Sequence, residues 1–290
     1  MCQSAGGTSN VVVSILSNPF EHLQKPPGAG FFVHVRTETD LEQAERKRRD
    51  DYINWVKKRY LSWDLDRVVE TLKKSIVQQA VIETSAGRVE RDPVCVITRP
   101  LYDEATCVAY AHTDEVINVL RERVAVIDLG LEHANRRNVE TVLQDLRPIY
   151  YKHCGHGTED ALLGQDDERM LDDSNVHFLA GCTVSTIACH SSRLAKLAVE
   201  RGCIAFFGYR TTFEVLTDIS VARLRFQILS GIERPLKAED LWSTEKFVSE
   251  AIKSALIHDR DNCFLLGDPE ARVMSLGKLD RERYHAVATS

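Results

Sequence analysis

The stretch PIYYKHCGHGTED, residues 148–160, joins a short apolar run to a turn that holds two histidines, a cysteine and two glycines. The run is typical of a buried β-strand, and the glycines allow a tight turn at its end. Reactive side chains placed directly after a strand indicate a site at the edge of a sheet. Taken alone, the stretch is compatible with a metal site, a catalytic pair or a plain turn.

Strand-like and helix-like segments alternate on both sides of this stretch. Apolar runs predict strands over 93–98, 124–129, 148–154, 176–182 and 203–209. Helical spacing of apolar residues predicts helices between them, with Thr113 and Asn138 as N-caps and Gly202 just after the last helix. This alternation predicts βαβ units, and therefore an α/β fold with a mostly parallel central sheet and helices on both faces.

The first third of the chain carries no pattern that indicates chemistry. It contains predicted strands over 11–16 and 31–35 and predicted helices over about 39–60 and 65–81, the second capped by Asp64. We expect two units, an N-terminal accessory segment over 1–91 and a second domain over 92–290. An apolar helix around 247–256 is expected to close one face of the sheet.

Composition bounds the function class. The net charge of −6 gives no overall basic field for nucleic acid, and the share of hydrophobic residues, 43%, is ordinary for a globular protein. The eight cysteines form no C-x-x-C pair, and no apolar run approaches the length of a membrane span. We therefore expect a cytoplasmic protein with reduced thiols that binds neither nucleic acid nor membrane.

The parallel sheet predicts a partner for His156. His156 follows the strand over 148–154, and Cys182 ends the predicted strand over 176–182, so both are expected at the carboxyl edge of neighbouring strands. A cysteine nucleophile needs a base that accepts its proton and later protonates the leaving group, which is the role predicted for His156. Gly157 and Cys182 are expected to offer backbone N–H groups to an oxyanion.

Two other chemistries compete with this pair. The zinc-ligand types near the turn are His153, Cys154, His156, Cys182, Cys189 and His190, but their spacings are not those of common zinc sites, so no metal is expected. Phosphate-binding glycine motifs follow none of the predicted strands. His153 is interpreted as structural, and Cys189 and His190 as packing residues on a helix.

Four segments resemble the caspase-like (clan CD) cysteine peptidases, above all the gingipain-type peptidases and the CHAT domains. HCGHG (153–157) resembles their histidine turn, and VHFLAGCTVST (176–186) resembles their cysteine strand. LAKLAVERGCIAFFGYRTTF (194–213) resembles the elements beside the substrate pocket, and CFLLGDPEARV (263–273) a segment near the end of gingipain-type catalytic domains. The resemblance covers about residues 92–274. It implies a caspase-like αβα sandwich and a cysteine endopeptidase that needs no cofactor.

The resemblance also implies a substrate pocket, built by Arg99, Asp103, Ala180, Gly181, Tyr209 and Arg210. Asp103 suits a basic P1 residue, whereas Arg99 or Arg210 suits an acidic one. The segment 158–175 holds seven acidic residues and one basic residue, a field that attracts a basic peptide. We therefore expect a basic P1 residue, although the segment also reads as a solvated loop or as a site of activating cleavage.

Partners and setting follow from the resemblance alone. It implies a protein or peptide substrate and an activating sensor protein, in a regulated bacterial defence or signalling pathway. The alternative from another functional class is a catalytically silent caspase-like module that only binds other proteins.

Overall fold

The computed structural model describes residue 47 and residues 50–60, 63–212 and 262–288. The predicted strands over 11–16 and 31–35 and the predicted helix around 247–256 lie outside these ranges. The helices are α1 (50–57), α2 (Leu65–Ser75), α3 (Glu104–Arg121), α4 (Arg136–Asp145), α5 (Ser192–Glu200) and α6 (Arg281–Ala288). The strands are β1 (Ile76–Gln78), β2 (Ala80–Thr84), β3 (Gly87–Arg99), β4 (Ala125–Gly130), β5 (Pro148–Cys154), β6 (Gly157–Thr158), β7 (Ala161–Leu163), β8 (Arg169–Asp172), β9 (Thr183–Ile187), β10 (Ala205–Tyr209), β11 (Cys263–Gly267), β12 (Arg272–Ser275) and β13 (Lys278–Leu279).

The central sheet runs in the order β11-β10-β9-β5-β3-β4. Neighbouring strands from β10 to β4 are parallel, and only β11 at the edge is antiparallel. The first half of β3 extends the sheet sideways, because it pairs with β2, which in turn pairs with β12. The predicted α/β fold with a mostly parallel central sheet is confirmed.

Helices cover both faces of this sheet. Successive strand residues point to opposite faces, so each face presents apolar side chains against which helices pack. Val96 and Tyr151 point to the face packed by α2, α4 and α5. Ile97 and Tyr150 point to the opposite face, packed by α3. Each fully buried aliphatic side chain contributes about 1.5–3 kcal/mol, so the sheet and its two helical layers stabilise one another. Among the described helices, none has the length and apolarity needed to cross a membrane.

The predicted boundary between residues 91 and 92 falls inside a strand. β3 runs without a break from Gly87 to Arg99. Helix α2 begins after Asp64, the predicted N-cap, whose carboxylate accepts a hydrogen bond from the Arg67 N–H at 3.1 Å. Leu72 of α2 lies in the same hydrophobic cluster as the strands of the central sheet. Residues 65–91 therefore share the core of the second predicted domain, whereas an accessory role for the N-terminal segment stays a prediction.

Two predicted helix caps are wrong, and one helix end is confirmed. Thr113 lies inside α3, where its hydroxyl donates to the Ala109 carbonyl at 2.6 Å, a bond that a mid-helix threonine can make. Asn138 lies inside α4, and Asn135 is the cap because its side chain accepts the Asn138 N–H at 2.9 Å. Gly202 follows α5 with a φ of +98°, as expected for a glycine after a helix.

The strand predicted over 176–182 is also wrong. Val176–Leu179 forms a short 3-10 helix, and the strand begins one residue after Cys182, at Thr183. Of the residues in VHFLAGC only Val176 is β-branched, whereas Thr183–Ile187 is rich in the residue types that strands favour. This shift of one element changes which cysteine lies at the carboxyl edge of the sheet.

Candidate active site

Three neighbouring strands bring polar residues to one edge of the sheet. β3 and β9 flank β5, and all three are parallel, so the segments that follow them emerge side by side. The segments are 100–103 after β3, 155–156 after β5 and 188–191 after β9. They carry Asp103, His156 and Cys189 respectively, so this edge collects a carboxylate, an imidazole and a thiol.

His156 lies in a turn that is held from two sides. The Gly155 N–H donates to the Ile187 carbonyl at 3.1 Å, which ties the turn to the end of β9. The carbonyl of His156 accepts the Leu163 N–H at 3.0 Å, which ties it to β7. The turn therefore has little freedom, although the imidazole itself is half-exposed.

Asp103 holds the imidazole. Its Oδ2 lies 2.6 Å from Nε2 of His156, so Nε2–H donates to the carboxylate. The same carboxylate caps α3, since Oδ1 accepts the Thr106 N–H at 2.8 Å. The Thr106 hydroxyl accepts the Asp103 N–H in return, which completes a capping box. Because both carboxylate oxygens are engaged, Asp103 holds a fixed position beside His156.

The two groups shift each other's titration. Partial burial acts to raise the pKa of Asp103, but hydrogen bonds from His156 and Thr106 outweigh it and lower that pKa to about 2. The hydrogen bond to Asp103 raises the pKa of His156 against the opposing effect of burial, and Asp167 adds a smaller contribution. An anionic carboxylate at Nε2 leaves Nδ1 of the neutral imidazole without a proton and able to accept one.

Cys189 lies in the turn between β9 and α5, directly beside the histidine turn. A Cβ atom added to Gly157 would lie 2.7 Å from the Cys189 carbonyl oxygen and 3.0 Å from Cβ of Ala188. Only a glycine at 157 therefore lets the two turns approach this closely. Cys189 is half-buried. The expectation that Cys189 and His190 lie on a helix is wrong, because α5 begins at Ser192.

The Cys189 turn is fixed by the neighbouring strand β10. His190 has a φ of +53°, a left-handed conformation that is uncommon for a residue other than glycine. The His190 N–H donates to the Thr211 carbonyl at 3.2 Å, and the Ser191 N–H donates to the Tyr209 carbonyl at 2.9 Å. These bonds tie the turn after β9 to the end of β10 and hold the sharp turn that presents Cys189.

Cys182 lies at the opposite end of the sheet from His156, which corrects the predicted pair. The register of β5 and β9 places Tyr150 opposite Thr183 and Cys154 opposite Ile187. Cys182 therefore lies just before the start of β9, whereas His156 lies just after the end of the neighbouring parallel strand β5. The length of the strands separates them by about 20 Å, at roughly 3.3 Å per residue. Cys182 is only 2% exposed, and burial raises the pKa of its thiol well above the ordinary range. Cys182 thus contributes neither a nucleophile nor an oxyanion donor beside His156.

Arg99 is a structural residue and not part of a pocket wall. It is 1% exposed and forms ion pairs with Asp114 of α3 and with Asp128 of β4, the latter at 2.5 Å. Its guanidinium also lies 3.7 Å from the ring centroid of Tyr110. Both carboxylates and the ring surround the guanidinium, so Arg99 is not available to a substrate.

The other predicted pocket residues divide between the two ends of the sheet. The carbonyls of Ala180 and Gly181 accept hydrogen bonds from the Arg91 side chain, near Cys182 and away from His156. Tyr209 is buried at the end of β10, on the side of Cys189. Arg210 follows it and is exposed, with Nη1 donating to the Cys263 carbonyl at 2.8 Å.

The acidic segment 158–175 is folded rather than a plain loop. β6, β7 and β8 form a small antiparallel sheet. Asp160 and Asp172 are paired with arginines, whereas Asp166 and Asp167 lie exposed in the turn between β7 and β8. The Tyr102 hydroxyl donates to Asp167 at 2.5 Å, and the Tyr102 ring lies 5.9 Å from that of His156. Part of the acidic charge therefore lies beside the candidate site.

Comparisons with known proteins find likenesses among solved structures only. No family model matches the chain, and no curated protein matches it. Among solved structures, the crystal structure of the Arg-specific cysteine proteinase gingipain R matches 63% of this chain with 14% identity and a TM-score of 0.45. The match spans 47% of that proteinase, about half of its length. A likeness of this size leaves the assignment of the site to the chain's own residues.

Proposed function

We propose that this protein is a cysteine-type endopeptidase with Cys189 as nucleophile, His156 as general acid and base, and Asp103 as the carboxylate that orients His156. One observation supports the proposal above all others. The turn that carries Cys189 packs against Gly157, the residue next to His156, at the carboxyl edge of adjacent parallel strands. A thiol beside an imidazole that is itself held by a carboxylate is the arrangement of a nucleophilic catalyst.

The chemistry follows from the hydrogen bond of His156 to Asp103. Because Nε2–H donates to the carboxylate, Nδ1 is the nitrogen that accepts the proton of the Cys189 thiol. The sulfur then attacks the carbonyl carbon of a peptide bond, and the leaving amine takes the proton back from Nδ1. Water, deprotonated by the same nitrogen, hydrolyses the thioester and restores the thiol. Asp103 stays ionised throughout and stabilises the imidazolium.

An oxyanion site is available next to Gly157. The Leu163 N–H bonds to the His156 carbonyl, so Gly157 and Leu162 form a pair without ladder hydrogen bonds between them. The N–H of Gly157 therefore points away from β7. We assign this N–H, together with the N–H of Cys189, to the developing oxyanion.

The first test compares two cysteines in one peptide digest. Cys189→Ala is expected to lower kcat by at least about 10⁴-fold, because the nucleophile is lost. Cys182→Ala serves as the matched control, since it removes a buried thiol at the other end of the sheet and should leave kcat within about threefold of wild type. Mass spectrometry of a mixed peptide library detects the products. Full activity in Cys189→Ala, or a Cys182→Ala enzyme as inactive as Cys189→Ala, would contradict the assignment.

We further propose a preference for a basic P1 residue. The support for this preference is the negative charge of Asp166 and Asp167, which lie exposed in the turn whose Asp167 acts on His156. Asp103 does not serve this purpose, because its carboxylate is engaged with His156. The double variant Asp166→Asn, Asp167→Asn should raise KM for substrates with Arg or Lys at P1 about threefold to tenfold. KM for substrates with other P1 residues should not change. Substrates with a neutral P1 residue are the control. Cleavage after acidic residues would instead point to Arg210.

The cellular setting remains a proposal drawn from the resemblance. An intracellular peptidase of this kind, released by an activating sensor protein in a bacterial defence or signalling pathway, would act on a protein or peptide in the cytoplasm. The alternative of a catalytically silent binding module has less support, because an oriented histidine and a cysteine lie together at the site.

A further inference from the structure

A chain of buried polar side chains lies directly beneath the histidine turn. His153 at the end of β5 is fully buried, and its Nε2 lies 3.0 Å from the backbone carbonyl oxygen of His156. Its other nitrogen, Nδ1, lies 3.0 Å from the hydroxyl of Thr98 on β3. The Thr98 hydroxyl in turn lies 2.9 Å from the hydroxyl of Tyr151. The three side chains share one face of the sheet, because strand residues alternate.

The direction of each hydrogen bond in this chain is fixed by chemistry. A carbonyl oxygen only accepts, so Nε2 of His153 carries the hydrogen and donates to His156. Burial lowers the pKa of His153 to about 4, so the ring is neutral near pH 7 and Nδ1 is an acceptor. The Thr98 hydroxyl must therefore donate to Nδ1, in preference to the Lys152 carbonyl at 3.3 Å, and Tyr151 donates to Thr98. The His156 carbonyl thus fixes the tautomer of His153, and the hydroxyls of Thr98 and Tyr151 satisfy the other ring nitrogen and anchor the ring.

The ring of His153 is also held sterically. A Cβ atom added to Gly155 would lie 2.7 Å from Cγ of Pro100 and 3.0 Å from Cε1 of His153. The backbone of the histidine turn therefore packs directly against both the ring of His153 and Pro100. A change in the ring's position or tautomer moves the peptide of His156 and, with it, the imidazole that faces Asp103.

We propose that His153 is a positioning residue for His156, and that Thr98, supported by Tyr151, anchors the ring of His153 at Nδ1. This proposal rests on the function proposed above. The buried Nε2–H of His153 fixes the peptide of His156, so that Nε2 of the second imidazole stays on Asp103. Two histidines three residues apart thus have different tasks. His156 performs the proton transfer, and His153 holds His156 in place.

The decisive variant is Thr98→Val, which keeps the shape of the side chain but removes the donor to His153. Nδ1 of the buried His153 ring then has no donor, so the ring loses one of its two anchors and its Nε2–H is held less firmly on the His156 carbonyl. Thr113→Val is the matched control, because Thr113 is also a buried threonine with an internal hydrogen bond but lies in the middle of α3. His153→Gln can place an amide N–H near the position of Nε2 and tests rescue, whereas His153→Leu removes every donor.

Two measurements read the result. One is kcat and KM for a cleaved peptide; Thr98→Val should lower kcat about tenfold to hundredfold with KM nearly unchanged, as a misplacement near 1 Å does. The other is NMR titration of ¹³Cε1-labelled histidines in the full chain, with the His156 signal assigned from His156→Gln. We expect the pKa of His156 to fall toward its ordinary value near 6.5 in Thr98→Val and His153→Leu, and to stay raised in Thr113→Val and His153→Gln.

The titration separates this proposal from the proposed function, because it needs no substrate. A fall in the pKa of His156 in Thr98→Val supports the positioning role even if no peptide is cleaved, in which case the peptidase assignment is what fails. An unchanged His156 titration in Thr98→Val overturns the proposal. Equal losses of kcat in Thr98→Val and Thr113→Val also overturn it, since they would mark a general loss of packing.

Discussion

Asp103→Asn separates two functions that one carboxylate performs. Asp103 caps α3 and also accepts the hydrogen bond from His156. Asparagine is about as good an N-cap as aspartate, so α3 should keep its first turn. The negative charge that faces His156 is lost, however, and an amide can present either an acceptor or a donor to Nε2. We therefore expect an intact fold in which His156 no longer has a fixed tautomer and orientation.

The expected loss of stability is small and the expected loss of activity is large. The pKa of Asp103 falls from 3.8 to about 2 in the fold, but the side chains of Asp103 and His156 are 41% and 34% exposed. After allowance for solvent screening, the pair contributes about 1 kcal/mol at most. Removing the carboxylate from a catalytic histidine costs up to about 10⁴ in kcat in a buried triad, so we expect roughly 10²-fold at this half-exposed site.

The pH dependence of the stability difference follows from the two shifts. Asp103 has a lowered pKa, so its contribution is present above the unfolded pKa near 3.9 and is lost as the pH falls through about 2. His156 has a raised pKa, so its contribution is present below the unfolded pKa near 6.5 and is lost as the pH rises through the raised value. Wild type and Asp103→Asn should therefore differ most in unfolding free energy between about pH 4 and 6.5.

The assay combines urea unfolding at pH 5.5 and 8.5 with kcat for a peptide that wild type cleaves. Asp64→Ala is the control, because it removes the cap of α2 at a distance from the site and should cost about 1 kcal/mol without changing kcat. An Asp103→Asn enzyme with kcat within about twofold of wild type would refute the role of Asp103, since the expected effect is roughly fiftyfold larger.

Two further variants test the core and the contact between the turns. Arg99→Met leaves the buried Asp128 without its guanidinium and Asp114 with Arg59 alone, so the free energy of unfolding should fall by about 3–5 kcal/mol in urea denaturation; Arg136→Met, which breaks a partly exposed pair with Asp172, should cost about 1 kcal/mol or less. Gly157→Ala puts a methyl group against the Cys189 carbonyl, so kcat should fall about 10²-fold while the protein still folds; a fully active Gly157→Ala enzyme would mean that the two turns do not need their close contact.

The parallel sheet was predictable because local pattern and long-range pairing agree there. The run Pro148–Cys154 is a strand at the predicted bounds, since all seven of its residues are buried and the pattern needs no tertiary information. The helix end at Gly202 was equally local, because a left-handed residue after a helix favours glycine. The start of α3 was not predictable in this way, since both Asp103 and Thr113 are residue types that cap helices. Which of them is the cap depends on the tertiary structure.

The sequence pattern favours Cys182 over Cys189 because the apolar segment 176–182 resembles a strand, whereas the strand begins only at Thr183. VHFLAGC is apolar because it packs beneath α4 and α5 as a 3-10 turn, not because it pairs with β5. The signal that identifies Cys189 was present: a β-branched run, then Ala-Cys-His, then serines and a helix. Such a run marks a strand that ends just before Cys189, and β-branched content distinguishes it from the apolar segment before it.

A single short segment, 98–103, shows how the core fixes the site. Thr98 and Arg99 are consecutive strand residues and therefore point to opposite faces of the sheet. Thr98 reaches His153 under the histidine turn, whereas Arg99 locks β3 to α3 and β4 through two carboxylates. Four residues later Asp103 starts α3 and holds His156. The ion pairs of Arg99 thus fix the helix that carries Asp103, so the position of the His156 imidazole is set by buried groups on both faces of the sheet.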